Sequence, residues 1–350
     1  MRLVNAFNTE RFIHGLKTAL ACLMGFAITK SVHFPVDQWL IITIIVVMCA
    51  QLNVGSVIQK SYMRFLGTFT GSLLAALTLL FFGTNDLATA IIIGLSALIF
   101  SYIATGKKSF SEAGTLGAVT VVIILIGQHP TVITAAERFI EISIGILIAA
   151  IISQFVLPVH ARRHLRDTQA ATLRQLRAYY LATLLTDQTN KINENYHEID
   201  ESIAQSLITQ RKLANEAKRE PLGTAFDTEH FQQSLACEKE ILRSISFMHH
   251  VYEISPDSKK LFSSMSVLYD FHDKICCALQ DIATAIQHRK SARVSVHLPS
   301  IQPINEMIDT LKKNTHSNTV TIYANSFLFC SEVLLIQLEK LVDLVTEIKT

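Results

Sequence analysis

Eight ionisable residues lie inside or at the edge of stretches that are otherwise apolar: His14, Lys17, Lys60, Arg64, Glu112, Glu137, Arg138 and Glu141. A charge at the centre of a bilayer costs about 2.5–3.5 kcal/mol on insertion scales, so such residues face a bundle interior and mark pathways. Four of them, Lys17, Lys60, Arg64 and Arg138, are cations. A conduit lined by cations favours anions by direct electrostatics. His14, Glu112 and Glu141 are the groups that could carry protons beside it. The paired carboxylates that a cation pump would keep deep in the membrane are absent from the sequence.

Each residue also has a plainer reading. Lys17 is near enough to the cytoplasmic end of its segment to snorkel to the interface. Arg138 with Glu137 or Glu141 can anchor the outer interface, as Trp39 can. Glu112 suits the first turn of a helix through the dipole, and His14 suits interfacial packing. Lys60 and Arg64 satisfy the positive-inside rule whatever else they do.

The elements that must position these residues are apolar helices. Six apolar segments run near 12–29, 36–53, 65–83, 87–104, 114–128 and 138–157. Each is about the length a hydrocarbon core requires, and the fifth, ending at Gln128-His129-Pro130, is the shortest. The expected fold is all-α: a six-helix transmembrane bundle over residues 1–160 and a cytoplasmic helical domain over 161–350. Composition supports the division. Residues 1–158 hold 9 of the 31 Lys and Arg and 6 of the 29 Asp and Glu, so the remainder is charge-rich. The first apolar run carries His14 and Lys17 and reads as a retained helix, not a cleaved leader.

Loop charges orient the bundle. With the N-terminus inside, cytoplasmic ends carry Arg2, Arg11, Lys60, Arg64, Lys107, Lys108, Arg162, Arg163 and Arg166, against Lys30 and Arg138 outside. Both termini are therefore expected in the cytoplasm of a multi-pass inner-membrane protein. Gly67, Gly71 and Ala75 form a small-residue stripe on the third segment. Gly114 and Gly117 do so on the fifth, and Gly145, Ala149 and Ser153 on the sixth. Such stripes let helices approach closely in lipid.

Trp39-Leu-Ile-Ile-Thr43, then Val54-Gly55 through Lys60, Arg64, Gly67-Thr68 and Gly71, form the combined pattern W-x-x-x-T and V-G-x-x-x-x-K-x-x-x-R-x-x-G-T-x-x-G. Arg138, Glu141 and Gly145 add R-x-x-E-x-x-x-G. Over about residues 10–165 the chain resembles the fusaric acid resistance and aromatic acid exporter superfamily, related to the plant aluminium-activated malate channels. The resemblance implies a secondary exporter of small anions, aromatic carboxylic acids above all. It also implies a homodimer, because the larger exporters carry the membrane-plus-soluble unit twice and this chain carries it once. A periplasmic adaptor is a further implied partner. A passive anion channel is the second reading, and a membrane-anchored scaffold with a partner-binding cytoplasmic domain the third.

From Arg162 onward apolar residues recur every three or four positions through Leu165–Leu185, Ile199–Leu213, Leu235–Tyr252, Leu261–Ile286 and Ser326–Ile348. Breaks fall at Asp187–Asn195, Glu220–Gly223, Ser255-Pro256-Asp257 and Leu298–Pro303. The last helix approaches a heptad seam through Phe327, Cys330, Val333, Leu334, Leu338, Leu341, Val345 and Ile348, suited to dimerisation or to packing inside the domain. His249, His250, His272 and His288 lack the spacing of a metal site or triad. Cys22, Cys49, Cys237, Cys276, Cys277 and Cys330 read as reduced thiols. With no Gly-rich phosphate loop and a net charge of +2, the sequence argues against an enzyme, a cofactor, a metal site or a nucleic-acid partner.

Overall fold

The computed structural model describes residues 9–32, 38–49, 51–106, 110–127, 129–184, 191–221, 226–254, 266–288, 296–314 and 318–347. Among them are twelve helices and no strand. The chain divides into two compact units. The first, apolar unit is Met1–Ala161 with Glu216–Gly223, and the second is Arg162–Asn215 with Thr224–Thr350.

The apolar unit contains α1 (Thr9–Val32), α2 (Gln38–Met48), α3 (Val54–Phe82), α4 (Asp86–Thr105), α5 (Ser111–Leu125) and α6 (Val132–Phe155). Helix α3 is its axis: it packs along α5 and α6, while α4 covers α5, and α1 and α2 cover α6. Two cores result. Leu40, Ile44, Val47, Met48 and Val57 meet Ile142, Ile146, Ala149 and Ile152 in one. Ala75, Leu79, Phe100, Val121, Ile124 and Ala135 make the other.

The unit is turned inside out relative to a water-soluble fold. Phe12, Leu16, Leu20 and Leu23 on α1, and Leu87, Ile91, Leu95 and Leu98 on α4, are exposed, whereas Thr43, Ser61, Thr68, Ser72, Ser96 and Thr120 are buried. Some of the buried hydroxyls bond back to their own helix, as Thr78 Oγ1 does to Leu74 O at 2.8 Å and Thr120 Oγ1 to Leu116 O at 2.7 Å. Helix ends are closed locally. Asn85 Oδ1 accepts from the amides of Leu87 and Ala88, and Thr131 with Thr134 forms a capping box ahead of α6.

Among the described residues, three helical stretches are long and apolar enough to cross a membrane: Thr9–Ser31, Val54–Phe82 and Asp86–Thr105. Several boundaries differ from the sequence reading. The segment expected over 36–53 is an 11-residue helix, α2, which rises only about 16 Å. It ends at Met48 because the chain must turn back within Gln51–Asn53 to start α3. Helix α3 begins at Val54, eleven residues before the expected 65, so Lys60 and Arg64 are helical. Helix α6 begins at Val132 because the Thr131 cap, not the charged Glu137-Arg138 pair, starts it.

The second unit holds α7 (Ala161–Leu184), whose first residue lies in the apolar unit, and α8 (Lys191–Ala217). It also holds α9 (Thr228–Ile254), α10 (Ser266–His288), α11 (Gln302–Asn314) and α12 (Asn318–Glu347). Helix α12 packs against α9, and its stripe Phe327, Cys330, Leu334, Leu338, Leu341 and Val345 is buried within the unit. Helix α11 had no counterpart in the apolar periodicity, and Pro303 falls at its second position, where a missing amide is tolerated. The expected break at Asp187–Asn195 ends earlier, because α8 starts at Lys191. Ser255-Pro256-Asp257 lies outside the described residues.

Candidate functional site

Helix α3 carries Lys60 and Arg64 one turn apart on one face. Lys60 Nζ lies 3.6 Å from Glu112 Oε1 in the first turn of α5. Arg64 is 4% exposed, and its Nη2 donates to Thr43 Oγ1 of α2 at 3.3 Å. Its Nε has no hydrogen-bond partner. Glu112 lies within electrostatic reach of both cations. Gly145 of α6 packs on the other side of Thr43, where a Cβ would sit 3.0 Å from the Thr43 Cβ. Thr43 is thus where α2, α3 and α6 meet.

Close helix approach sets this geometry. A Cβ on Gly67 would lie 2.4 Å from Ala113 O, and one on Gly71 2.5 Å from Gly117 O. Only glycine at these two positions lets α3 lie against the α5 backbone and bring Lys60 to Glu112.

The remaining charged residues form two further groups. At one end of α6, Arg138 Nη1 is 3.4 Å from the buried Glu141 Oε2, and the guanidinium stacks 5.2 Å from the Trp39 ring centre. Glu137, beside them in sequence, is partly buried. On α1, His14 Nε2 is 3.0 Å from Met48 O. Lys17, 1% exposed, donates to Leu157 O at 3.3 Å. Leu157 has φ of +46°, a strained conformation for a side chain of its size, just before Pro158. The structure therefore brings together Lys60, Arg64 and Glu112, and separately Arg138 and Glu141. Lys107 and Lys108 lie outside the described residues.

Thr43 was visible in the sequence only as part of a pattern, and nothing marked it as the partner of Arg64. Nothing in the sequence marks Glu216, and Glu220 shows only as the start of a break, because they lie more than 150 residues and 50 residues from what they touch. Glu216 Oε2 accepts from Asn53 Nδ2 at 2.6 Å, and Glu220 Oε1 from the Ala161 amide at 2.5 Å. Among the described residues no group of three His, Cys, Asp or Glu could hold a metal ion.

Residues 11–261, most of the chain, match the model of the fusaric acid resistance protein family. The chain belongs to this family. Among its relatives is the multidrug resistance protein MdtO of Escherichia coli (strain K12). It is 31% identical over 176 residues, which are 48% of this chain and 26% of MdtO. MdtO of Shigella flexneri is 31% identical over 182 residues, 50% of this chain and 26% of that protein. The inner membrane protein YeeA of Escherichia coli (strain K12) is 23% identical over 305 residues, 76% of this chain and 83% of YeeA. The chain therefore spans about a quarter of the length of the MdtO proteins it matches. Fusaric acid resistance family membership and the exposed apolar helices together make this a membrane protein.

Proposed function

We propose that this protein is an inner-membrane secondary transporter that exports small organic anions, aromatic carboxylic acids first among them. The observation that carries the reading is Arg64: a buried guanidinium held by a single hydroxyl, with its Nε unused, one turn from Lys60. A planar guanidinium with a spare donor suits a carboxylate. The names of the family and of MdtO support export of toxic compounds, and fusaric acid is itself an aromatic carboxylic acid.

In this reading α1–α6 are six membrane segments, with α2 and α5 the short ones, and both termini are cytoplasmic. Lys17, Lys60, Arg64 and Arg138 line the anion pathway, and His14, Glu112 and Glu141 supply proton coupling. Two copies form the transporter, and a periplasmic adaptor would serve as a further partner. The helices α7–α12, within residues 161–350, form its cytoplasmic domain.

The test is efflux of labelled benzoate from proteoliposomes under an imposed pH gradient. Gradient-dependent efflux that falls about ten-fold or more in Arg64→Ala supports the proposal, since a charge-assisted hydrogen bond is worth at least that factor. Absence of movement for benzoate and for fusaric acid alike overturns it. Gradient-independent flux with single-channel currents reversing at the anion potential would make the protein a channel instead.

A further inference from the structure

Residues 216–223, the last two of α8 and the chain just after it, belong to the apolar unit although α8 and α9 lie mainly in the other one. It grips the foot of that unit at four described points. Glu216 Oε2 accepts from Asn53 Nδ2, the residue that starts α3, at 2.6 Å. The Glu216 carbonyl lies where Gly55 would carry a side chain, 2.0 Å from a Cβ built there. Arg219 Nη1 bonds Gln59 Oε1 on the second turn of α3. Glu220 accepts from the Ala161 amide at the start of α7, and its other oxygen is 3.5 Å from His160 Nδ1. Glu216 and Glu220 are each 7% exposed.

These are not incidental contacts of a surface turn. Two buried carboxylates, four residues apart, meet the N-termini of two helices, where unsatisfied amides and the dipole favour negative charge. The backbone contact at Gly55 leaves no room for a side chain between the segment and α3. The chain before α7 is tied into the same foot, since Val54 N donates to Val159 O at 3.1 Å. Lys60 lies next in sequence to Gln59, and Arg64 one turn beyond. A 29-residue helix moves as a rod, so a pivot at Asn53–Gly55 shifts that face.

We infer that residues 216–220 are a strap that positions the Lys60–Arg64 face of α3, with Glu216 and Glu220 as its positioning residues. Glu216 and Ala217 are the last two residues of α8, so the strap continues that helix. The inference requires only that Lys60 and Arg64 ride on α3, and it holds whatever the protein transports.

The test uses the full chain in lipid nanodiscs, with reductive methylation of lysines read by mass spectrometry. Asn53→Asp sets two carboxylates against each other, and Gly55→Ala forces the strap away. Each should raise Lys60 methylation by up to about five-fold, the factor expected for losing its partly exposed ion pair with Glu112. Lys17, 1% exposed in the same unit, and Lys274, in the other unit, should keep their rates, which shows that both units remain folded. The exchanged pair Asn53→Asp with Glu216→Gln restores an amide-to-carboxylate bond and should return Lys60 to its original rate. Unchanged Lys60 reactivity in both single variants overturns the inference. So does a rise in Asn53→Asp that the exchanged pair fails to reverse.

Discussion

Arg64 donates to Thr43 and keeps its Nε unsatisfied in a site that is 4% exposed. Removing the Thr43 hydroxyl leaves the guanidinium short of an acceptor. Thr43→Val should therefore destabilise the apolar unit by about 1.5–3 kcal/mol, seen as a lower Tm in detergent, while Thr43→Ser stays close to the parent. In the other unit, Glu238 is fully buried, and Gln210 Nε2 donates to it at 2.6 Å. Burial without a cation partner pushes its pKa up to about 8. Burial likewise pushes His272 down to about 4, with the Tyr180 hydroxyl 2.5 Å from its Nδ1. The raised acid contributes stability that is whole below the unfolded value of about 4.3 and lost as pH rises through 8. The depressed histidine opposes that trend below its unfolded value of about 6.5, so the net fall is confined to pH 6.5–8. The second unit should lose about 2 kcal/mol across that window, and Glu238→Gln should abolish the loss. Thiol labelling of the buried Cys237, Cys276 and Cys330 during melting reads this unit directly.

Two glycine contacts decide how α3 meets α5. Gly67→Val should destabilise the apolar unit by about 1–3 kcal/mol, because the carbonyl it would strike belongs to a backbone that cannot step aside. Gly94 on α4 has open space around it, so Gly94→Ala should be neutral or stabilising by up to about 1 kcal/mol. The two Tm values separate packing glycines from ordinary ones. On α12 the sides of the helix differ in the same way. Phe327 is fully buried and Phe329 is 64% exposed. Phe327→Ala should cost about 3–5 kcal/mol and Phe329→Ala within about 0.5, measured by the same thiol labelling. The seam through Phe327 and Leu334 is occupied within its own unit, which leaves it unavailable as a dimer seam.

At the scale of the whole molecule, orientation and assembly follow from the proposed transport role. With Cys49 and Cys277 replaced by serine, a cysteine at Thr84 should react with an impermeant thiol reagent in intact cells. One at His160 should react only after permeabilisation. The reverse pattern would invert the topology. Mass measurement of the protein in nanodiscs should return two copies, and a single copy would remove the homodimer from the proposal.

The sequence by itself determined a helical architecture, which stretches are apolar, and which family pattern the chain carries. Composition and a 3.6-residue period are local properties, and they survive without knowledge of neighbours. The short α2 was not legible, since its end is set by the turn into α3 and not by a loss of hydrophobicity. Lys60 and Arg64 were legible as a pair because their spacing of four is itself helical geometry. Their partners were not, because Thr43 comes from α2 and Glu112 from α5. Only the tertiary structure placed Lys17 on Leu157, Arg138 over Trp39, and Glu216 at the foot of α3. Contacts between residues far apart in sequence leave no periodic trace. The charges that first suggested an anion pathway are thus a property of the sequence, whereas the groups that hold each charge in place belong to the packing.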